Sequence, residues 1–267
     1  MPPLLLIQTG EAPDPLRTRF GGFADWFRDA MRLQPTQMRV VRVDAGEPLP
    51  APAEIAGAVI TGSAAMVTER ARWSEHAAGW IRDAMDAETP LFGVCYGHQL
   101  MAHALGGTVG WLPAGREIGS ESVTRLGSGE APGLHELPSS FPAQTTHRQS
   151  VLEPPRGAEV LARSQRDPHQ LLRYAPNVLS SQFHPEFTPD FMRAYIEVRA
   201  DALRDEGVDP EALLAAVRET EAARLLLERF ARAALGAPVA AAVLDSQTME
   251  GRSDVPVSAS SMRMRVS

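Results

Sequence analysis

Apolar positions follow two rhythms along this chain. Short, nearly unbroken apolar runs at residues 4–8, 38–43, 58–63 and 91–94 read as buried strands. Helical spacing falls between them. Phe20, Phe23, Phe27 and Met31 share one helical face with Trp26 beside them, an aromatic stripe that reads as core. A second helix opens at Trp73-Ser74-Glu75 and runs through Trp80, Ile81, Ala84 and Met85. A third carries Leu100, Met101, Ala104 and Leu105 and stops at Gly106-Gly107. Strand and helix alternate from residue 4 to 105, which predicts a parallel sheet covered by helices on both faces.

Beyond residue 107 the rhythm changes. Residues 108–111, 117–125, 151–153, 159–163 and 170–174 read as shorter strands separated by Gly- and Pro-rich turns. An apolar strand from Val178 leads into Gln182-Phe183-His184-Pro185-Glu186. One helix is predicted over 189–204 and a longer one over 210–235. The second has an apolar face of Leu213, Leu214, Val217, Leu225, Leu226 and Phe230, which covers the sheet or, as the alternative, forms a homodimer face. Periodicity ends at Gly236, and the small, polar residues 253–267 predict disorder. The expected organisation is a domain over 1–190, a helical extension over 191–235 and a disordered tail over 236–267.

Composition narrows the chemistry. The 267 residues carry a formal charge of −7, which argues against nucleic acid or an anionic membrane as the main partner. Every cation apart from histidine is an arginine; with no lysine, a Schiff base and a Walker-type phosphate loop are excluded. A single cysteine forms no intramolecular disulfide, and the N-terminal apolar run is too short for a signal peptide. The expectation is a soluble cytoplasmic protein.

That cysteine stands in Gly93-Val94-Cys95-Tyr96-Gly97-His98-Gln99, where strand gives way to helix. Gly-x-Cys-x-Gly has the form of a nucleophile elbow, a turn so tight that side chains at Gly93 and Gly97 are expected to clash. A helix N-terminus also favours a thiolate. A nucleophile needs a base and the base an orienter. His184-Pro185-Glu186 offers both: Pro185 keeps the tripeptide out of helix, and alternate residues of an extended segment point the same way. Neither segment alone excludes a plain structural role. His147 is the weaker base candidate, because no carboxylate follows it at close spacing, and the remaining histidines show no metal-ligand spacing.

Together, Gly-Val-Cys-Tyr-Gly-His-Gln and the later Gln-Phe-His-Pro-Glu resemble the class I (triad) glutamine amidotransferases, in particular the amidotransferase domain of GMP synthase and its free-standing relatives. The resemblance covers about residues 1–190. It implies a flavodoxin-like three-layer α/β sandwich with a mostly parallel sheet and an antiparallel return, followed here by C-terminal helices. It also implies attack of Cys95 on the glutamine side-chain amide, a γ-glutamyl thioester and release of ammonia, with His184 as acid and base, Glu186 as its orienter, and no cofactor or metal. Backbone N–H groups at Gly62 or Ser63 and at Tyr96 would hold the oxyanion. Here the chain departs from the family's Ser-Gly-Gly-Pro, with Ser63 and Ala64 in place of the second Gly and the Pro. Gln99 matches a residue that contacts bound glutamine. Thr146, Arg148 and Gln149 fall in a segment that holds the substrate's α-amino acid group, with Arg148 where glycine is common.

No Ser-Gly-Gly-x-Asp-Ser phosphate loop of an ATP pyrophosphatase follows the triad. Three readings result: an amidotransferase that releases ammonia for a separate synthetase, a hydrolase of other γ-glutamyl peptides or amines, and a non-catalytic binding module that kept the fold.

Overall fold

A computed structural model describes residues 1–126, 134 and 137–236. The tail expected to be disordered lies, apart from Gly236, outside the described residues. The elements are β1 (Leu4–Gln8), α1 (Asp14–Phe20), α2 (Phe23–Ala30), β2 (Met38–Arg42), β3 (Gly57–Ile60), α3 (Arg72–Asp86), β4 (Leu91–Val94), α4 (Tyr96–Ala104), β5 (Thr108–Trp111) and β6 (Glu117–Arg125). They continue with β7 (Ser140–His147), β8 (Gln149–Glu153), β9 (Glu159–Arg163), β10 (Leu171–Ala175), β11 (Val178–Ser181), α5 (Pro189–Val198), α6 (Ala200–Asp205), α7 (Pro210–Ala216) and α8 (Glu221–Ala234).

Among the described residues, nine strands form one sheet in the order β2-β1-β3-β4-β11-β10-β9-β6-β7, and β5 pairs with β8 in a small second sheet. The run from β2 to β11 is parallel, and the strands from β10 to β7 pair antiparallel. This is the mostly parallel sandwich with an antiparallel return that the family resemblance implies. Alternation sorts the core. Leu4, Leu6, Val59 and Phe92 face α2 and α8, while Leu5, Ile7, Ala58, Ile60 and Leu91 face α3 and α4. Strands buried on both faces need the unbroken apolar runs the sequence shows.

The apolar face of α8 covers the sheet: Leu226, Leu227 and Phe230 are buried in the same cluster as Phe92, and the Phe230 and Phe92 rings lie 5.4 Å apart. That face is therefore not open for a dimer.

Several boundaries differ from expectation. The Phe20–Met31 stripe is carried by two helices, because Gly21 takes φ 79° and a Cβ there would sit 2.7 Å from Asp25 Oδ2. The helix predicted over 210–235 breaks at Val217, whose backbone is extended. The break lets Leu213 and Val217 pack with Phe191 while Leu226 and Phe230 pack under the sheet. Arg218 is pinned there, its N–H donating to Ser120 Oγ (2.9 Å) and its carbonyl accepting from Gln144 Nε2 (3.0 Å). The helix predicted over 189–204 is likewise interrupted at Arg199. The strand β7 was not expected; its Ser-Phe-Pro-Ala-Gln-Thr-Thr-His sequence carries a proline and little apolar signal.

Candidate active site

The parallel register brings the carboxyl ends of β3, β4 and β11 together, where ligands bind in open α/β sheets. Cys95 follows β4 with φ 52° and ψ −98°, a strained backbone that non-glycine residues rarely adopt. The elbow is bolted to its neighbours, Cys95 N–H donating to Ser181 O (2.8 Å) and Gly97 N–H to Thr61 O (3.1 Å). Both flanking glycines are required sterically. A Cβ on Gly93 would lie 2.6 Å from the Gly97 backbone, and one on Gly97 2.4 Å from Ile60 O.

His184 and Glu186 do meet, but across a turn and not along the extended segment that the sequence predicts. Strand β11 ends at Ser181, and Pro185-Glu186 form a turn in which Phe187 N–H donates to His184 O (3.3 Å). Proline fixes φ for a turn as readily as for a strand, so the residue type alone did not separate them. His184 Nδ1 lies 2.7 Å from Glu186 Oε1, and its ring stacks on Phe187 at 4.1 Å between centroids. The imidazole is buried, and its Nε2 has no hydrogen-bond partner among the described residues. Burial pushes the His184 pKa down, but the Glu186 carboxylate and the neighbouring Cys95 outweigh it and hold the pKa well above the ordinary value. A Cβ placed on Gly62 would lie 3.1 Å from His184 Cε1 and 3.7 Å from Cys95 Cβ, so both side chains border one small volume.

The Thr61-Gly62-Ser63 turn is held from the end of β1. Thr9 Oγ1 donates to Gly62 O (2.9 Å), while Ser63 Oγ donates to Thr9 O (2.6 Å) and accepts from Ala65 N–H (3.1 Å). The Ser63 side chain thus ties the turn to the end of β1. Tyr96 heads α4, where an N–H has no intrahelical acceptor. Its side chain points away into the core, its hydroxyl donating to Ser74 Oγ (2.6 Å), with burial raising its pKa to about 12.

Cys95 sits where two cavities meet. The first, about 120 Å³, is lined by polar groups including Gln99, Thr146, His147, Arg148 and Gln149. Gln99 Nε2 donates to Gln149 O (2.7 Å) and Gln182 Oε1 (2.9 Å), tying α4 to the β7–β8 connection. Cys95 Sγ lies 4.0 Å from Thr146 O, and Gln149 Nε2 donates to Thr68 Oγ1 (2.7 Å). Arg148 stands at the mouth, ion-paired with Glu206, which also takes Arg116 at 2.6 Å. These guanidinium partners, Arg116 first, lower the Glu206 pKa. The second cavity is larger, and aromatic rings form one of its walls.

His147 does have a carboxylate, contrary to the expectation from spacing. Its Nε2 lies 2.8 Å from Glu117 Oε2, thirty residues upstream and brought beside it by the β6–β7 pairing. Its Nδ1 donates to Gln149 O (3.0 Å), so both ring nitrogens are engaged within the protein. Among the described residues, no group of three or more His, Cys, Asp or Glu side chains is arranged to hold a metal ion. No helix among them is long and apolar enough to cross a membrane.

A parallel α/β sheet with a cysteine on a glycine-bounded elbow and a buried His–Glu pair beside it defines a class of protein, and comparison with known proteins gives the family. Residues 20–199 match the model for glutamine amidotransferase class-I, and the chain belongs to that family. It is 35% identical over 186 residues to the glutamine-hydrolyzing GMP synthase of Aeropyrum pernix, a match over 68% of this chain but only 34% of that relative. It is 28% identical over 195 residues to gamma-glutamyl peptidase 4 of Arabidopsis thaliana, covering 71% of this chain and 77% of the relative. A crystal structure of a glutamine amidotransferase from Thermotoga maritima shares the fold, with a TM-score of 0.69 at 23% identity over 88% of this chain and 99% of that one.

Proposed function

We propose that the protein hydrolyses the γ-amide of a γ-glutamyl compound through a thioester on Cys95. His184 takes the thiol proton and passes it to the leaving nitrogen, and Glu186 orients and charges the imidazole. Backbone N–H groups of Tyr96 and of Gly62 or Ser63 hold the oxyanion. The polar cavity takes the amino acid end, with Gln99, Thr146, Arg148 and Gln149 around it. Water, activated by His184, then releases glutamate. The observation that carries this reading is the shared volume beside Gly62, bordered by a strained Cys95 and by an imidazole whose Nδ1 is held by Glu186 while its Nε2 is without a partner among the described residues.

With glutamine as substrate the leaving group is ammonia, available to a separate synthetase, a reading supported by similarity to GMP synthase. With a γ-glutamyl peptide or amine the same steps make a hydrolase, a reading supported by similarity to a gamma-glutamyl peptidase. The test is acid quenching during turnover followed by peptide mass spectrometry. A hydroxylamine-labile γ-glutamyl adduct on the Cys95 peptide is expected; turnover with no adduct under conditions that trap thioesters would sink the mechanism.

A further inference from the structure

The second cavity at Cys95 is about 180 Å³, and one wall is Pro13, Phe23, Trp26, Phe187, Phe191 and Tyr195; Cys95, His184 and Glu186 close its inner end, and Glu11 and Arg199 also line it. The aromatic wall is continuous: Trp26 and Phe191 lie 4.3 Å apart, and Phe187 and Phe191 4.2 Å apart, centroid to centroid. Thr146 and Tyr195 line both cavities, and the Tyr195 hydroxyl lies 3.1 Å from Thr146 Oγ1 where they join.

A γ-glutamyl amide has two unlike ends. The glutamyl end is a zwitterion, which the Phe23–Trp26–Phe191 wall would desolvate without compensation. It belongs in the polar cavity, and the leaving amine then extends into the other. The position of His184 agrees. It lines the aromatic cavity and not the polar one, on the side where a proton must reach the leaving nitrogen. Ammonia needs no such room. An apolar cavity of about 150 Å³ is enough to hold benzene, so this one accepts an aromatic ring.

The geometry points to γ-glutamyl amides of apolar, aromatic amines as the substrate class, with the ring of the leaving amine seated in the Phe23–Trp26–Phe191 cleft. This rests on the thioester reading above. Sγ attacks the amide carbon, the C–S bond forms, and the C–N bond breaks as His184 gives its proton to nitrogen. The arylalkyl amine departs, and water hydrolyses the thioester to glutamate, restoring the thiol and the imidazole.

The test compares γ-glutamyl benzylamide, γ-glutamyl methylamide and glutamine in wild-type protein and in Phe23→Ser, a change at a half-buried position. Labelling by the chloromethyl ketone analogue of glutamine runs alongside. A single methylene in an apolar pocket changes selectivity by about tenfold or more. The benzylamide should therefore exceed the methylamide in kcat/KM by at least that factor, and Phe23→Ser should lower the ratio several-fold. Cys95 labelling with a flat or falling series, or a ratio unmoved by Phe23→Ser, would overturn the assignment of the cleft while leaving the thioester reading intact. No labelling of Cys95 and no turnover of any of the three would overturn that reading and this proposal with it.

Discussion

Replacing Gly62 by alanine separates the positioning of the proposed base, His184, from the integrity of the fold. The added methyl would lie 3.1 Å from His184 Cε1, closer than ordinary van der Waals contact, so the ring must move by a few tenths of an ångström. It has little freedom to do so. Its Nδ1 is held 2.7 Å from Glu186, and its face is stacked on Phe187, which is itself buried against Trp26 and Phe191. Gly62 does not have a positive φ, so alanine brings no backbone strain and stiffens the unfolded chain by about 0.4–1 kcal/mol in favour of folding. Overpacking opposes this by about 1–3 kcal/mol, which leaves a modest net loss of stability. Activity should suffer more: a misplacement of about 1 Å costs on the order of 100-fold, so half that shift lowers kcat about tenfold. The assay is steady-state glutamate release paired with a thermal melt. Unchanged kcat would refute the claim that the His184 ring position sets the rate. A collapse of the melt in step with activity would show that Gly62 serves the fold instead.

At Gly97 the same substitution meets the Ile60 carbonyl at 2.4 Å, backbone that cannot yield, so Gly97→Ala should destabilise by about 3 kcal/mol or prevent folding, read from denaturant unfolding. Phe230→Ala should cost about 3–5 kcal/mol, because α8 belongs to the sheet's core; a loss under 1 kcal/mol would mean the helix is an appendage. Glu186→Gln keeps a hydrogen bond but removes the charge, a loss of about 1.5–3 kcal/mol that predicts a 10- to 150-fold fall in kcat, milder than His184→Ala. Two histidines should shape stability against pH with opposite signs. The raised pKa of His184 gives stability that is full below about 6.5 and is lost as pH rises through its folded value. Burial, aided by His147 and His169, pushes His98 down to about 3, giving stability that is present above about 6.5 and lost as pH falls toward that value. Melts across pH should lose the alkaline limb in His184→Ala and part of the acid limb in His98→Asn; limbs unchanged by either would contradict these assignments.

Much of this was legible because local chemistry dictated it. Runs such as Leu4-Leu5-Leu6-Ile7, too short for a helix and closed by turn residues, fit strands buried on both faces, and the two glycines around Cys95 announced a turn with no room for a Cβ. What stayed hidden depends on contacts far apart in sequence. Glu117 reaches His147 only through strand pairing, and Thr9 secures the turn at Gly62 only because β1 and β3 are neighbours. The Phe23–Trp26 stripe was read as core, and most of it is, yet its edge also walls a cavity at Cys95. No periodicity distinguishes a ring that faces the core from one that faces an adjoining cleft.

Cys95 is proposed to carry the chemistry on γ-glutamyl amides. Glutamate release from glutamine and γ-glutamyl benzylamide by wild-type protein and by Cys95→Ala, matched for folding by thermal melt, tests it most directly. Turnover of at least one substrate is expected in the wild type, and none above background in the variant. Comparable turnover in a folded Cys95→Ala protein would contradict it.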